Sequence, residues 1–535
     1  MNEIDRHILT NTNITEKSAL IWNIADTIRG LFKPHEYGEV ILPMTVVKRF
    51  HDTLLPTREA VLEEVEKRKN ITIKDGFLRR ASGYNFFNTS LYTFDSLLAD
   101  SENIETNFRA YLNGFSENVQ DVLANFDMDV HITKLSKNGK LYQVIQEFNT
   151  EKGYMGADRI SSTDMGYIFE DLVKRFSESY NEDAGAHFTS RDIIYLMTDV
   201  LLSTDKATLE SDGVAKSIYD QAMGTSQMLT AMQERLTLLD RDAEVALYGQ
   251  ELNPKTYAIA KADMLIRGGN PDNMQLGNTL TDDRFAGFNF DYCISNPPFG
   301  IDWKSDYDTV KKEHDRGEAG RFVPGLPKRS DGQLLFMLNG LSKLKETGRM
   351  AIIHNGSSLF SGAAGSGESE IRRYVLENDW LESIIQLPND VFYNTGITTY
   401  IWVFDKDKET HRKGKVQLID ASNMYESRRK NIGSKRVDIT EECRNVLVQA
   451  YGEFQNKEYR LGERMAESKV FDNLDFGFNK VTIEGPLKDE EGNLVLKNKK
   501  VQPDTSLRDT EDIPLTEDID PYFEREIKPF TPGAW

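Results

Sequence analysis

From about residue 165 the chain alternates short apolar runs with helical stretches, and no other feature restricts its fold so closely. The runs are "SIYD", "EVALYGQEL", "MQLGNTL", "FDYCIS", "RMAIIHN", "LESIIQLP" and "TTYIWVF". Each is short enough to be a buried strand, and helical stretches separate most of them. Such a pattern predicts an open parallel α/β sheet, in which ligands sit at the carboxyl ends of the strands. A helix is expected over "DMGYIFEDLVKRFSESY", with Ile168, Phe169, Leu172, Val173 and Phe176 on one stripe. Thr189, with Asp192 three residues on, reads as an Asp form of the capping box ahead of "RDIIYLMTDVLL". Asn253 as N-cap, Pro254 in the first turn and Gly268-Gly269 as stop delimit another helix.

Residues 1–160 lack this alternation and read as a helical domain. "SALIWNIADTIRGLF" has helical spacing up to Pro34, and "LPMTVVKRFHDTLL" begins again with Pro43 near a helix start. Residues 161–425 hold the α/β unit. Over 426–535 the pattern fades: a basic island, "ESRRKNIGSKR", is followed by a helical segment, "ITEECRNVLVQAYGEF", and an extended polar tail. The whole chain is acidic, with a formal charge of −21 over 535 residues. It has no global basic field of the kind a general nucleic-acid binder needs. Cys293 and Cys443 form no CxxC pair, which argues against a disulfide framework or a structural zinc site. The start "MNEIDRHILTNTNITEK" lacks a signal-peptide core, and no apolar run approaches a bilayer span. A soluble cytoplasmic protein is expected, with no membrane partner.

The strand ends carry polar or glycine-rich features. Asp220 closes the first run, and Gly224-Thr225-Ser226 makes the turn after it. Small residues there let a ligand approach the backbone, although a tight βα turn also accounts for them. Glu251 closes the second run, where a carboxylate can accept both hydroxyls of a ribose or cap the next helix. Asn278 follows the third; its amide matches an adenine edge, or serves an ordinary turn. The fourth run ends in Asn296-Pro297-Pro298-Phe299. Two prolines lock φ, remove two N–H groups and hold Asn296 extended. What remains is a stiff ledge with an amide oxygen, a carbonyl and an aromatic face, a set that suits a flat base bearing an NH2. A rigid loop is the alternative for the tetrapeptide alone; behind Asp220, Glu251 and Asn278 in order, the functional reading is favoured.

These residues resemble those of the S-adenosylmethionine-dependent amino-group DNA methyltransferases, whose tetrapeptide [DNS]-P-P-[FYW] is matched by "NPPF". The resemblance implies catalytic roles for Asn296, Pro297, Pro298 and Phe299: amide and carbonyl hold the amine of a flipped-out adenine, and the ring stacks on it. "AHFTSRDIIYLM", "GQELNPKTYAIAKADMLIRG" and "LPNDVFYNTGITTYIWVFDK" are similar to segments of the modification subunits of type I restriction–modification systems, gamma-group N6-adenine methyltransferases. The implied fold is a Rossmann-like methyltransferase domain with a mostly parallel seven-stranded sheet and an α-helical N-terminal domain. The implied cofactor contacts are Ala186, His187, Phe188, Thr189, Ser190, Arg191, Asp220, Gly224, Thr225, Ser226, Gln227, Glu251 and Asn278. No metal is implied. Gln221 and Ser226 stand where that family has a proline and a second glycine, which puts cofactor affinity in question; a negative φ at Ser226 would let the backbone pass.

The resemblance also implies partners. A specificity subunit pairs with two modification subunits in such systems, and a restriction and translocase subunit can join them. An acidic chain is poorly equipped to hold DNA alone. Arg428, Arg429, Lys430, Lys435 and Arg436 are candidates for phosphate contacts, or else a solvated loop. A methyltransferase of RNA or of a protein amide, and a non-catalytic scaffold with a decayed cofactor site, are the competing readings.

Overall fold

The computed structural model describes residues 13–33, 36–71, 74–178, 189–204, 214–240, 242–393 and 395–535. The segment around Pro34, and with it the break expected there, lies outside the described residues.

Helices from Ile14–Ile24 to Leu141–Phe148 build the N-terminal part around Val40, Val47, Phe50, Phe94, Phe108 and Val144, all buried. One helix there starts earlier than expected. It runs Tyr37–Leu54, so Pro43 lies inside it rather than at its start. This far toward the N-terminus a proline forfeits one backbone hydrogen bond, to the carbonyl four residues back, and the helix continues. The stripe Ile168, Phe169, Leu172, Val173 and Phe176 lies on the helix Ser162–Glu178 and is buried in this same helical core. Ala258, Ala262, Leu265 and Ile266 of the helix Pro254–Ile266 join it. Lys261 adds an ion pair to Asp121 (2.6 Å), and Tyr257 donates to the same carboxylate (2.9 Å). The helical part is thus clamped on a helix of the α/β unit by apolar burial and by charge.

All seven expected runs are strands: β1 (Ala215–Asp220), β2 (Glu244–Glu251), β3 (Met274–Leu276), β4 (Phe290–Ser295), β5 (Leu344–Asn355), β6 (Leu381–Gln386) and β7 (Thr399–Asp405). Their spatial order is 3-2-1-4-5-7-6, with β7 antiparallel to both neighbours and the rest parallel. The order reverses between β1 and β4, the crevice where open α/β sheets take ligands. The sheet does not stop at seven strands. β8 (Lys415–Asp420) pairs parallel to β6, and β12 (Arg464–Asp472) and β11 (Lys457–Leu461) extend it to ten. A buried cluster of Arg349, Glu382, Arg412 and Tyr451 ties β5 and β6 to the helix Glu441–Glu453.

Beyond β8 the structure differs from a loop and a tail. The basic island is a hairpin of β9 (Glu426–Ile432) and β10 (Lys435–Asp438). The last residues form a projecting arm, strands Phe478–Pro486 and Pro503–Pro514 paired antiparallel, with the short helix Ile519–Tyr522 beyond. Its polar composition hid strands whose side chains are mostly exposed; backbone pairing and a small cluster of Ile483, Ile527 and Ala534 hold them.

Candidate active site at the carboxyl ends of the central strands

β1 and β4 are neighbours, and their register pairs Tyr219 with Cys293, which sets Asp220 and Ser295 at adjacent levels. Ser295 Oγ donates to Asp220 Oδ1 (2.7 Å), and the Ala222 N–H donates to the same oxygen (3.0 Å). The turn after β1 therefore begins beside the residue that opens the proline ledge. Asp220 Oδ2 is buried with no partner among the described residues. Burial pushes this carboxyl up to about 7, against the lowering effect of the bonds from Ser295 and Ala222.

Glu251, at the end of β2, braces the turn. Its Oε2 accepts the Gly224 N–H (3.0 Å) and its Oε1 the Asn253 N–H (2.8 Å). Gly224 takes φ +53, natural for a residue without Cβ. Ser226 does not take the negative φ that would let the backbone pass; it adopts +66, the left-handed region, with its hydroxyl buried and unpartnered among the described residues. The turn keeps the shape a second glycine would give it, and Ser226 bears the strain. Gln221, in the proline's place, points inward: its Oε1 accepts from Asn339 Nδ2 (2.7 Å), and Asn339 Oδ1 accepts from Arg321 (2.8 Å). Arg321 also donates to the carbonyls of Thr279 and Leu280 (2.7 and 3.1 Å), next to Asn278. Asn278 itself accepts the Leu280 N–H (2.9 Å) and donates to Asp306 (3.2 Å).

The ledge is not sealed. Asn296 and Phe299 are half-buried and Pro298 is exposed. Asn296 Nδ2 donates to Thr189 Oγ1 (2.9 Å), and the Phe299 ring meets Phe392 edge-on at 6.1 Å. Behind the ledge Trp303 is fully buried, as expected of a packing residue, with its Nε1 bonded to the Lys328 carbonyl (3.0 Å).

The structure thus brings Thr189, Asp220, Gly224, Thr225, Ser226, Gln227, Glu251 and Asn296 to one edge of the sheet. Ala186, His187 and Phe188 lie outside the described residues. Arg191 does not face this edge freely: Glu170 holds its guanidinium (Nε to Oε1 2.9 Å), with Tyr195 (2.8 Å) and Glu234 beside it. Glu170 also accepts from Gln227 (2.6 Å), so a helix of the N-terminal core grips the start of the helix Gln227–Leu239. Ser190, not Thr189, is the N-cap of the helix Arg191–Ser203, and its side chain caps nothing; Asp192 accepts instead from Lys435 (2.9 Å) and the Ile439 N–H (2.9 Å). Lys435 is 1% exposed, bonded also to the Val391 carbonyl (3.0 Å), and is withdrawn from the phosphate candidates. Arg428 pairs with Asp438. Arg429 and Arg436 are exposed; the Lys430 side chain lies outside the described residues. The sequence reasoning missed Thr189 as a partner of Asn296, and Asn339. The latter had a signal: an amide inside the apolar run "LLFMLNGL".

A donor with ribose hydroxyls and a sulfonium fits this edge: a carboxylate ends β2, a turn carrying Gly224, which has no Cβ, follows β1, and buried oxygens of Ser226 and Gln227 without partners among the described residues line its start. Two outcomes follow. Ser226→Gly relieves a left-handed serine and is expected to stabilise the fold by about 1 kcal/mol, read as a raised unfolding midpoint. Asp220 titrates near 3.9 when unfolded and at about 7 when folded. Its stabilising share is whole below about pH 4 and is lost as pH rises through 7. Asp220→Asn is expected to flatten the fall in unfolding midpoint over that window.

Comparison with known proteins agrees with this geometry. Residues 161–482 match the family model described as N-6 DNA Methylase, and residues 18–148 match the HsdM N-terminal domain. The MjaIX type I restriction enzyme methylase subunit of Methanocaldococcus jannaschii is 25% identical over 461 residues, covering 82% of this chain and 77% of that one. The HindI methylase subunit of Haemophilus influenzae is 25% identical over 334 residues, 61% of this chain and 67% of that one. The crystal structure of a type I restriction–modification methyltransferase subunit from Streptococcus thermophilus shares the fold, with a TM-score of 0.65 at 22% identity over 86% of this chain and 96% of that one. The chain belongs to the N-6 DNA methylase family, and is an adenine-specific DNA methyltransferase carrying the N-terminal domain of type I methylase subunits.

Proposed function

We propose that this chain is the modification subunit of a type I restriction–modification complex and methylates N6 of an adenine turned out of the duplex. The observation that carries the reading is the shared edge: the Asn296 ledge after β4 and the Gly224 turn after β1 leave adjacent parallel strands side by side. Glu251 would hold the ribose of S-adenosylmethionine, and the Gly224–Gln227 turn its amino-acid end. When bound, that cofactor supplies a methyl group on a sulfonium sulfur. Asn296 Oδ1 and the Pro297 carbonyl accept from the adenine amine, keeping its lone pair out of the ring, and Phe299 stacks on the base. Phe392 sets the tilt of that ring from behind.

Charge supports a partner for sequence recognition. The chain carries −21, and two of the five basic-island candidates are spent on internal ion pairs. Arg429 and Arg436 remain exposed on the β9–β10 hairpin, whose backbone is bonded to the loop of Phe392: Arg436 N–H to the Asp390 carbonyl, 2.8 Å. We read them as contacts to phosphates flanking an extruded base, too few to hold a duplex alone. A separate specificity subunit, shared by two copies of this chain and joined by a restriction and translocase subunit, would supply the rest. The complex acts in the cytoplasm.

Asn296→Ala is expected to cut methyl transfer by more than about 100-fold while calorimetry shows S-adenosylmethionine bound as before. Loss of binding would refute the role given to the ledge. The chain alone is expected to transfer little methyl to duplex DNA and to gain full rate with its specificity subunit; a full rate alone would contradict the need for that partner.

A further inference from the structure

Thr189 is 107 residues from Asn296 in sequence, yet its hydroxyl oxygen stands 2.9 Å from the Asn296 amide nitrogen. The contact matters because an asparagine amide has two unlike ends. Its oxygen accepts from an amine, and its NH2 repels one. An adenine amine is a donor twice over, so the ledge can hold it only when Oδ1 faces the base and Nδ2 faces away. Nδ2 then needs an acceptor behind it, since a half-buried donor left unpaired is costly. Thr189 Oγ1 is at that place. A threonine hydroxyl can donate as well as accept; once the amine has taken Oδ1, the accepting role toward Nδ2 is the one left.

Resting on the function proposed above, we infer that Thr189 is a positioning residue for the methyl acceptor: it sets the orientation of the Asn296 amide and does not hold the cofactor. Its surroundings are built for that task. Thr189 is 9% exposed, and Ser190 beside it is 2% exposed. Lys435, from β10, donates to Ser190 Oγ (3.3 Å), Asp192 Oδ2 (2.9 Å) and the Val391 carbonyl (3.0 Å). The backbone that carries Thr189 is thereby pinned from the far side, and the same lysine pins the loop of Phe392, which backs the stacking ring. One buried ammonium fixes both the acceptor behind the amide and the support behind the phenyl. The sequence gives Lys435 to a basic island, but the fold spends it on the catalytic ledge.

The test uses the full-length chain with its specificity subunit and a duplex bearing the target site. Thr189→Val keeps the shape and removes the acceptor. The turnover number is expected to fall about 10- to 100-fold, with the S-adenosylmethionine dissociation constant, measured by calorimetry, changed less than about threefold. Thr189→Ser, which restores the hydroxyl, is expected to recover most of the rate. A raised dissociation constant with turnover kept would make Thr189 a cofactor contact and overturn the inference; so would unchanged turnover in Thr189→Val, or a Thr189→Ser variant as impaired as valine. Thr189→Ala, measured alongside with a thermal melt, gives the same split where the valine methyl does not fit. No methyl transfer by the unaltered complex would refute the proposed function itself, and this inference with it.

Discussion

The register between β1 and β4 is the constraint on which the site depends. Parallel neighbours run in step, so when Tyr219 pairs with Cys293 the two chains leave the sheet together. The hydrogen bond from Ser295 to Asp220 closes that step at its last residue. A slip of one residue would turn Asn296 to the other face of the sheet and separate the ledge from the turn that Glu251 braces. Apolar side chains on both faces, Ile218 and Ile294 among them, make such a slip expensive, since each is fully buried.

A second constraint comes from outside the sheet. The helix Ser162–Glu178 is buried in the N-terminal core, yet its Glu170 reaches Arg191 and Gln227, one on each side of the Gly224 turn in sequence. Glu234, Asp263 and Arg267 complete a set of charges withdrawn from water. Such groups add little net stability over well-packed apolar residues, but breaking one leaves its partner uncompensated. Their value here is geometric: they tie the helix Ser162–Glu178 to residues on both sides of the turn after β1. The same logic explains Gln221. A proline would stiffen the turn from within, whereas glutamine stiffens it from outside, through Asn339 and Arg321.

Much of this was legible in the sequence because it is local. The seven strands are short apolar runs, the Asn253 cap bonds residues two and three positions on, and "NPPF" carries its stiffness in its own prolines. The amphipathic stripe of Ile168 and Phe169 marked a buried face, though not that the face belongs to the N-terminal core. What escaped notice is non-local. Lys435 reads as one more charge in a basic island, because Asp192 is 243 residues away. Thr189 looked like a helix cap for the same reason: its partner is in another strand's loop. The arm of Phe478–Pro486 and Pro503–Pro514 lacks apolar runs, since it pairs with itself and covers only a small cluster of Ile483, Ile527 and Ala534. The sign of φ at Ser226 was not legible either: where the family has a second glycine, the turn takes positive φ with a serine in its place.

The central claim is that the ledge and the Gly224 turn face one space shared by donor and base. A crystal structure of the full chain with a non-transferable analogue of S-adenosylmethionine tests it most directly. The account predicts ribose hydroxyls on Glu251 and the sulfur end lying between Gly224 and Asn296. An analogue seated elsewhere, such as the apolar groove beside Trp402 and Leu474, would contradict it.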